Sequence, residues 1–155
     1  MPRHSAGLLL YRFNDEAHIE VLVVHPGGPF WAKKDDGAWS LPKGEYDLGE
    51  EPLIVAGREF EEELGQPPPS GPRRDLGELD QSSAKRVRAW AIESDLDAEH
   101  IMSNTFEIEW PPKSGAIVSF PEIDRAAWFS IPEARIKLLS GQVGFLDRLV
   151  EALSQ

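Results

Sequence analysis

Gly44-Glu45-Tyr46-Asp47-Leu48-Gly49-Glu50-Glu51-Pro52-Leu53-Ile54-Val55-Ala56-Gly57-Arg58-Glu59-Phe60-Glu61-Glu62-Glu63-Leu64-Gly65 is the stretch on which the reading of this chain turns. Pro52 suits a first helical turn, where its missing N–H would have no partner, and Gly65 suits the exit, so a helix is expected from Pro52 to Leu64. Leu53, Ala56, Gly57, Phe60 and Leu64 recur at helical spacing and form one stripe for a core. Glu59, Glu62 and Glu63 stand at i, i+3 and i+4, so their carboxylates share one patch. Each like-charge pair at that spacing costs about 0.2 to 0.5 kcal/mol, and the negative end of the helix dipole adds to it. A solvated acidic face accounts for Glu51 and Glu61. It does not account for three acids on one face, without a lysine among them, beside Arg58 and below the glycine turn at Gly44. Hard divalent cations take oxygen ligands, and a metal would turn this repulsion into attraction.

Gly44, five residues, Glu50, seven residues, then Arg58-Glu59-Phe60-Glu61-Glu62-Glu63-Leu64-Gly65 resembles the signature of the Nudix hydrolases, which cleave nucleoside diphosphates linked to another group. The last position of that signature is usually hydrophobic and is Gln66 here. The resemblance covers about 23 residues directly, and chain length and strand pattern fit the same fold. It implies an α/β/α sandwich, with a mixed β-sheet between helices, in one domain over residues 1–155. It implies Glu62 and Glu63 as metal ligands, with Glu59 as either a further ligand or the base that takes a proton from water. Arg58 would hold the glutamates by charge-assisted hydrogen bonds, with Glu50 as one partner, and the Lys43 carbonyl would be another metal contact. The cofactor expected is Mg2+, with Mn2+ as the alternative. A further acid completes such sites, and Glu122 is the candidate. It lies six residues before Trp128, a spacing that resembles the diadenosine polyphosphate hydrolase branch. Glu107 and Glu109 are rivals.

The rest of the chain bounds the partners. A net charge of −11 argues against a nucleic-acid polymer or an anionic membrane as partner, without excluding small phosphates. With no cysteine, thiol nucleophiles, disulfides and zinc–cysteine sites are excluded. Leu8 to Leu10 is too short for a signal core or a membrane span, and a cytoplasmic monomer or homodimer is expected. The four histidines show no ligand spacing and read as surface or structural residues. Lys43, Lys33 and Arg88 are candidate phosphate contacts, and Trp31, Tyr46, Phe106 or Trp110 could stack on a base.

Strands are expected at Ser5–Arg12, Ile19–Val24, Ala38–Leu41, Thr105–Trp110 and Arg125–Phe129, with a hairpin from Asp75–Asp80 and Arg86–Glu93. A short helix is expected to start at Ile131, and an amphipathic one to run from Gly141 to Leu153 with Val143, Leu146, Leu149, Val150 and Leu153 inward. The expected substrate is a nucleotide, first a dinucleoside polyphosphate. ADP-ribose, nucleotide sugars and oxidised nucleoside triphosphates remain alternatives, and so does a non-catalytic nucleotide sensor.

Overall fold

A computed structural model of the chain describes residues 2–154. Among the described residues, eight strands and three α-helices follow one another: β1 (Arg3–Phe13), β2 (Ile19–Pro26), β3 (Lys43–Tyr46), α1 (Pro52–Leu64), β4 (Arg74–Ser82), β5 (Lys85–Glu93), β6 (Thr105–Glu109), β7 (Ile117–Pro121), β8 (Ile123–Ser130), α2 (Ile131–Lys137) and α3 (Gly144–Leu153). Six strands form one sheet in the order β4-β5-β1-β2-β8, with β3 also paired to β1. β1 lies parallel to β5 and antiparallel to β2 and β3, so the sheet is mixed. A separate ribbon joins β6 and β7.

Helices cover both faces of this sheet, which is why β1 and β2 read as continuous apolar runs rather than alternating ones. On one face Ala6, Leu8, Leu10, Leu22 and Val24 pack with Ala56, Phe60 and Leu64 of α1. On the other, Leu9, Tyr11, Val21 and Val23 pack with Ala134 of α2 and Phe145, Leu146 and Leu149 of α3. Successive residues of β1 therefore feed opposite cores, the period of two that a strand imposes. The α/β/α sandwich expected from the sequence is the architecture found.

Helix α1 has the expected ends. Pro52 occupies its first turn, and Gly65 closes it in the left-handed conformation (φ 72°), its N–H donating to the Glu61 carbonyl at 2.8 Å. Val55, absent from the expected stripe, is also buried.

Several expectations are corrected. Ala38–Leu41 is not a strand: Trp39 and Ser40 make isolated bridges to Leu138 and Val24, while Ala38, Trp39 and Leu41 are buried. Apolar residues gave the segment a strand's composition, but they serve as core plugs in a crossing. The crossing is tight enough that a Cβ on Gly7 would lie 2.3 Å from the Leu41 side chain. The strand is instead β3, and Gly44, expected in a turn, lies within it opposite Ala6. Ile117–Pro121 forms β7, which the polar loop before it obscured. At the C-terminal side, Ser140–Gln142 makes a 3-10 turn, α3 begins at Gly144, and Val150, expected inward, is exposed.

Candidate active site

The C-terminal half of α1 lies against β3, and this contact brings main chain and acids together. An added Cβ on Gly44 would stand 2.1 Å from the Glu59 carboxyl carbon. Glycine is needed there for close approach rather than for a turn. The neighbouring Lys43 N–H donates to the Glu63 carboxylate. Arg58 donates to Glu50 at 3.3 Å and stands 3.8 Å from Glu59. Glu50 also accepts from the Asp47 N–H at 2.9 Å, so it holds the loop before α1 while it engages Arg58.

Crowding of these acids shows in their protonation. Burial pushes the Glu63 carboxyl up to about 8, and the negative Glu59 and Glu122 add to it against the opposing Lys43 ammonium and main-chain N–H. Burial also raises Glu59, followed by the charge of Glu62, which shares a hydrogen bond with it; Arg58 opposes. Lys43 is lowered by burial and then by the neighbouring Lys85.

This donor set fits a hard divalent cation in its chemistry. Its side chains offer carboxylate oxygens, and two of the acids are driven toward their protonated forms first by burial and then by the charge of neighbouring acids, which a cation among them would offset. Among the described residues, no three histidine, aspartate or glutamate side chains are already drawn in as a closed metal-holding group.

Glu122 reaches the cluster from the β7–β8 junction, and its charge acts on both Glu59 and Glu63. A backbone relay places it. The Asn104 N–H donates to the Glu62 carbonyl at 2.9 Å, the Glu122 N–H to the Asn104 carbonyl at 2.8 Å, and the Gly27 N–H to the Glu122 carbonyl at 2.8 Å. The Ser103 hydroxyl adds bonds to the N–H and carbonyl of Ile123 next door, each 3.1 Å long. The rivals Glu107 and Glu109 lie on β6, exposed.

Lys43, Glu63 and Glu122 line a cavity of about 360 Å³, together with Trp31, Gln81 and Lys85. Of the candidate phosphate contacts, Lys43 is therefore in the cavity wall. Arg88 is instead bonded to Asp75 at 2.7 Å with its guanidinium over Trp90, and Lys33 is exposed; neither lines the cavity. Of the aromatic candidates only Trp31 lines it, while Trp110 packs on Phe30, Phe106 on Phe120 and Tyr46 on His4. Lys85 and Gln81 were missed by sequence reasoning. For Lys85 a signal existed, since Lys85, Val87, Ala89 and Ala91 alternate onto one face whose other members are buried.

His25 is structural, as expected, and fully buried. Its Nδ1 meets Asp124 at 2.8 Å and its Nε2 the Lys34 carbonyl at 2.6 Å, so one ring ties the Trp31 loop to the Glu122 junction.

The sheet, helices and acid cluster together define the fold of the Nudix proteins. The C. elegans Ap4A hydrolase in a binary complex superposes with a TM-score of 0.68 at 19% identity, over 98% of each chain. A mutT/nudix family protein from Listeria innocua gives 0.63 at 17%, over 99% of this chain and 96% of that one. The NUDIX domain of Shewanella oneidensis NrtR, complexed with ADP ribose, gives 0.59 at 16%, over 99% and 89%. At these identities the likeness is one of fold. The NUDIX domain family matches residues 1–149, and the chain belongs to that family. Among curated relatives, an 8-oxo-(d)GTP phosphatase of Mycolicibacterium smegmatis (strain ATCC 700084 / mc(2)155) is 37% identical over 101 residues, 58% of this chain and 29% of that protein. The match thus spans under a third of the relative's length. Among the described residues, no helix is long and apolar enough to cross a membrane.

Proposed function

We propose that this chain is a metal-dependent pyrophosphohydrolase of nucleoside diphosphate derivatives, acting as one domain on a small nucleotide in the cytoplasm. The observation that carries it is that Glu63, Glu122 and Lys43 line one cavity with Trp31, while Glu59 beside them bears by charge on Glu63 and shares a hydrogen bond with Glu62. Glu59, Glu62, Glu63, the Lys43 carbonyl and Glu122 would hold Mg2+, or Mn2+ in its place. When bound, the ion supplies positive charge to the phosphate oxygens and makes a water easier to deprotonate.

The chain's own residues do the rest. Water attacks one phosphorus, the bridging P–O bond breaks, and the leaving phosphate carries the electron pair away. The water's proton has two acceptors in the same acid group, Glu59 and Glu122. Arg58, braced by Glu50, orients Glu59. Lys43 and Lys85 meet the phosphate chain, and Trp31 offers a face to the base.

A dinucleoside polyphosphate is the first substrate, supported by the Glu122–Trp128 spacing and the likeness of fold to an Ap4A hydrolase. The curated relative favours an oxidised guanine nucleotide as the second reading. The test is product release from diadenosine polyphosphates, 8-oxo-dGTP, ADP-ribose and nucleotide sugars, with Mg2+ and with chelator. Metal-dependent cleavage of one class fixes the substrate. Tight nucleotide binding without cleavage of any would replace the hydrolase by a sensor.

A further inference from the structure

Gln142 lies beneath the cavity, 0% exposed, and its three hydrogen bonds fix the sense of a relay. The relay starts at a group that has only one role. The Leu41 N–H must donate, so the Gln142 amide atom 3.0 Å from it is the oxygen Oε1. The other atom is then Nε2, with two hydrogens to place. One goes to the Ser40 hydroxyl at 3.0 Å, whose own hydrogen is donated to the Leu41 carbonyl at 2.7 Å. The second goes to Gln81 at 2.9 Å, so the Gln81 atom that receives it is the oxygen Oε1. An amide whose oxygen is held presents its NH2 elsewhere. Gln81 lines the cavity, and its Nε2 has no hydrogen-bond partner among the described residues.

We propose that Gln81 is a specificity-determining residue, donating its amide hydrogens to phosphate oxygens of the substrate's polyphosphate chain. The proposal rests on the hydrolase reading above and names a contact within it. Gln81 shares its cavity wall with the ammonium groups of Lys43 and Lys85, so donors gather there. The Ser40 hydroxyl, also in the wall, is already committed to Leu41. With Glu63 and Glu122 of the same wall given to the metal, Gln81, Lys43 and Lys85 can only donate, and they would leave the donors of a base edge unmatched. Phosphate oxygens only accept, and they carry the charge the lysines neutralise. Gln81 adds direction without a third positive charge.

Gln81→Glu tests this together with uncharged Gln81→Met: in the first a carboxylate oxygen still accepts from Gln142 Nε2 while the cavity receives an acceptor in place of a donor, and in the second the donor is lost with no charge added, so KM must rise in both. The expected result is a rise in KM of about tenfold or more, with kcat falling less than about threefold. Inhibition by inorganic tripolyphosphate, which has no base, weakens in parallel. Gln142→Glu gives a second reading without altering a cavity residue: its new acceptor draws the NH2 of Gln81 inward and turns the Gln81 oxygen to the cavity, so KM rises in the same direction. Thermal melts verify that each variant is folded, and the two Gln81 variants decide the matter if Gln142→Glu does not fold. An unchanged KM in either folded Gln81 variant overturns the proposal, and so does a raised KM with unchanged tripolyphosphate inhibition. If the wild-type protein cleaves no nucleotide, the hydrolase reading fails instead; tripolyphosphate binding, followed calorimetrically in wild type and both Gln81 variants, still decides the contact.

Discussion

Two segments bring acids to the same cavity by opposite means. The glutamates of α1 are carried by a helix whose other face is anchored by fully buried Phe60 and Leu64. Glu122 is carried by a strand junction with little core of its own, held by main-chain hydrogen bonds that run from Glu62 through Asn104 to Glu122 and on to Gly27. The helix fixes its acids through side-chain packing, which a sequence displays as periodicity. The junction fixes its acid through backbone groups that every residue possesses. The contrast predicts that substitutions in α1 act through the carboxylates, whereas substitutions around Glu122 act also through the relay.

The largest effect is expected from Glu63→Gln, a loss of about 10³-fold in kcat or more with the thermal midpoint preserved, measured under saturating Mg2+. A variant that kept wild-type turnover would remove α1 from the chemistry. Glu122→Gln should cost about 10²-fold, the range for a positioned proton acceptor. A loss equal to that of Glu63→Gln would erase the distinction between the two segments, and no loss would reduce Glu122 to a surface loop acid.

Gly44→Ala should lower kcat by about tenfold to 10²-fold, since the new methyl must displace the Glu59 carboxyl from beside β3. Ser103→Ala removes two bonds next to Glu122 and should cost about fivefold, the kinetic equivalent of one hydrogen bond of about 1 kcal/mol. Full activity there would show that the backbone relay alone suffices.

A final test concerns stability without metal. Folding raises Glu63 from an ordinary value of 4.5 to about 8, so its contribution is full below the unfolded value and is lost as pH rises through about 8. In chelator the thermal midpoint should fall between about pH 5 and about pH 8.5. Glu63→Gln should flatten that slope, and added Mg2+ should restore the midpoint at the alkaline end. A slope unchanged in the variant would assign the titration elsewhere.

The same contrast explains what could be read in advance. Helix α1, its caps and its acid patch were legible because proline, glycine and a 3.6-residue period specify them locally. The β4–β5 hairpin and the central strands were legible from apolar and β-branched runs bounded by turn residues, which are local as well. β3 was not, because Lys43-Gly44-Glu45-Tyr46 has no strand composition; it is a strand only because β1 offers an edge and Gly44 admits Glu59. Gln81 was hidden too, and the alternation that turns Lys85 inward does not say what it meets, since what brings both to Lys43 is the pairing of β4 and β5 beside β1, a contact between distant parts of the chain. Trp31 drew attention through its glycine-rich surroundings, whereas nothing in the sequence distinguishes Gln142 from a surface glutamine.

The position of Gln142 has a consequence for how the protein is made. Its bond to Leu41 joins residues 101 positions apart, and the parallel pairing of β1 with β5 matches Arg3 with Lys85. A ribosome would therefore release α1 and its glutamates long before β1 finds its parallel neighbour β5, and the cavity floor closes only when the 3-10 turn ahead of the last helix arrives. During synthesis the acids precede the room they serve, and the first strand waits with an unpaired edge for half the chain to follow.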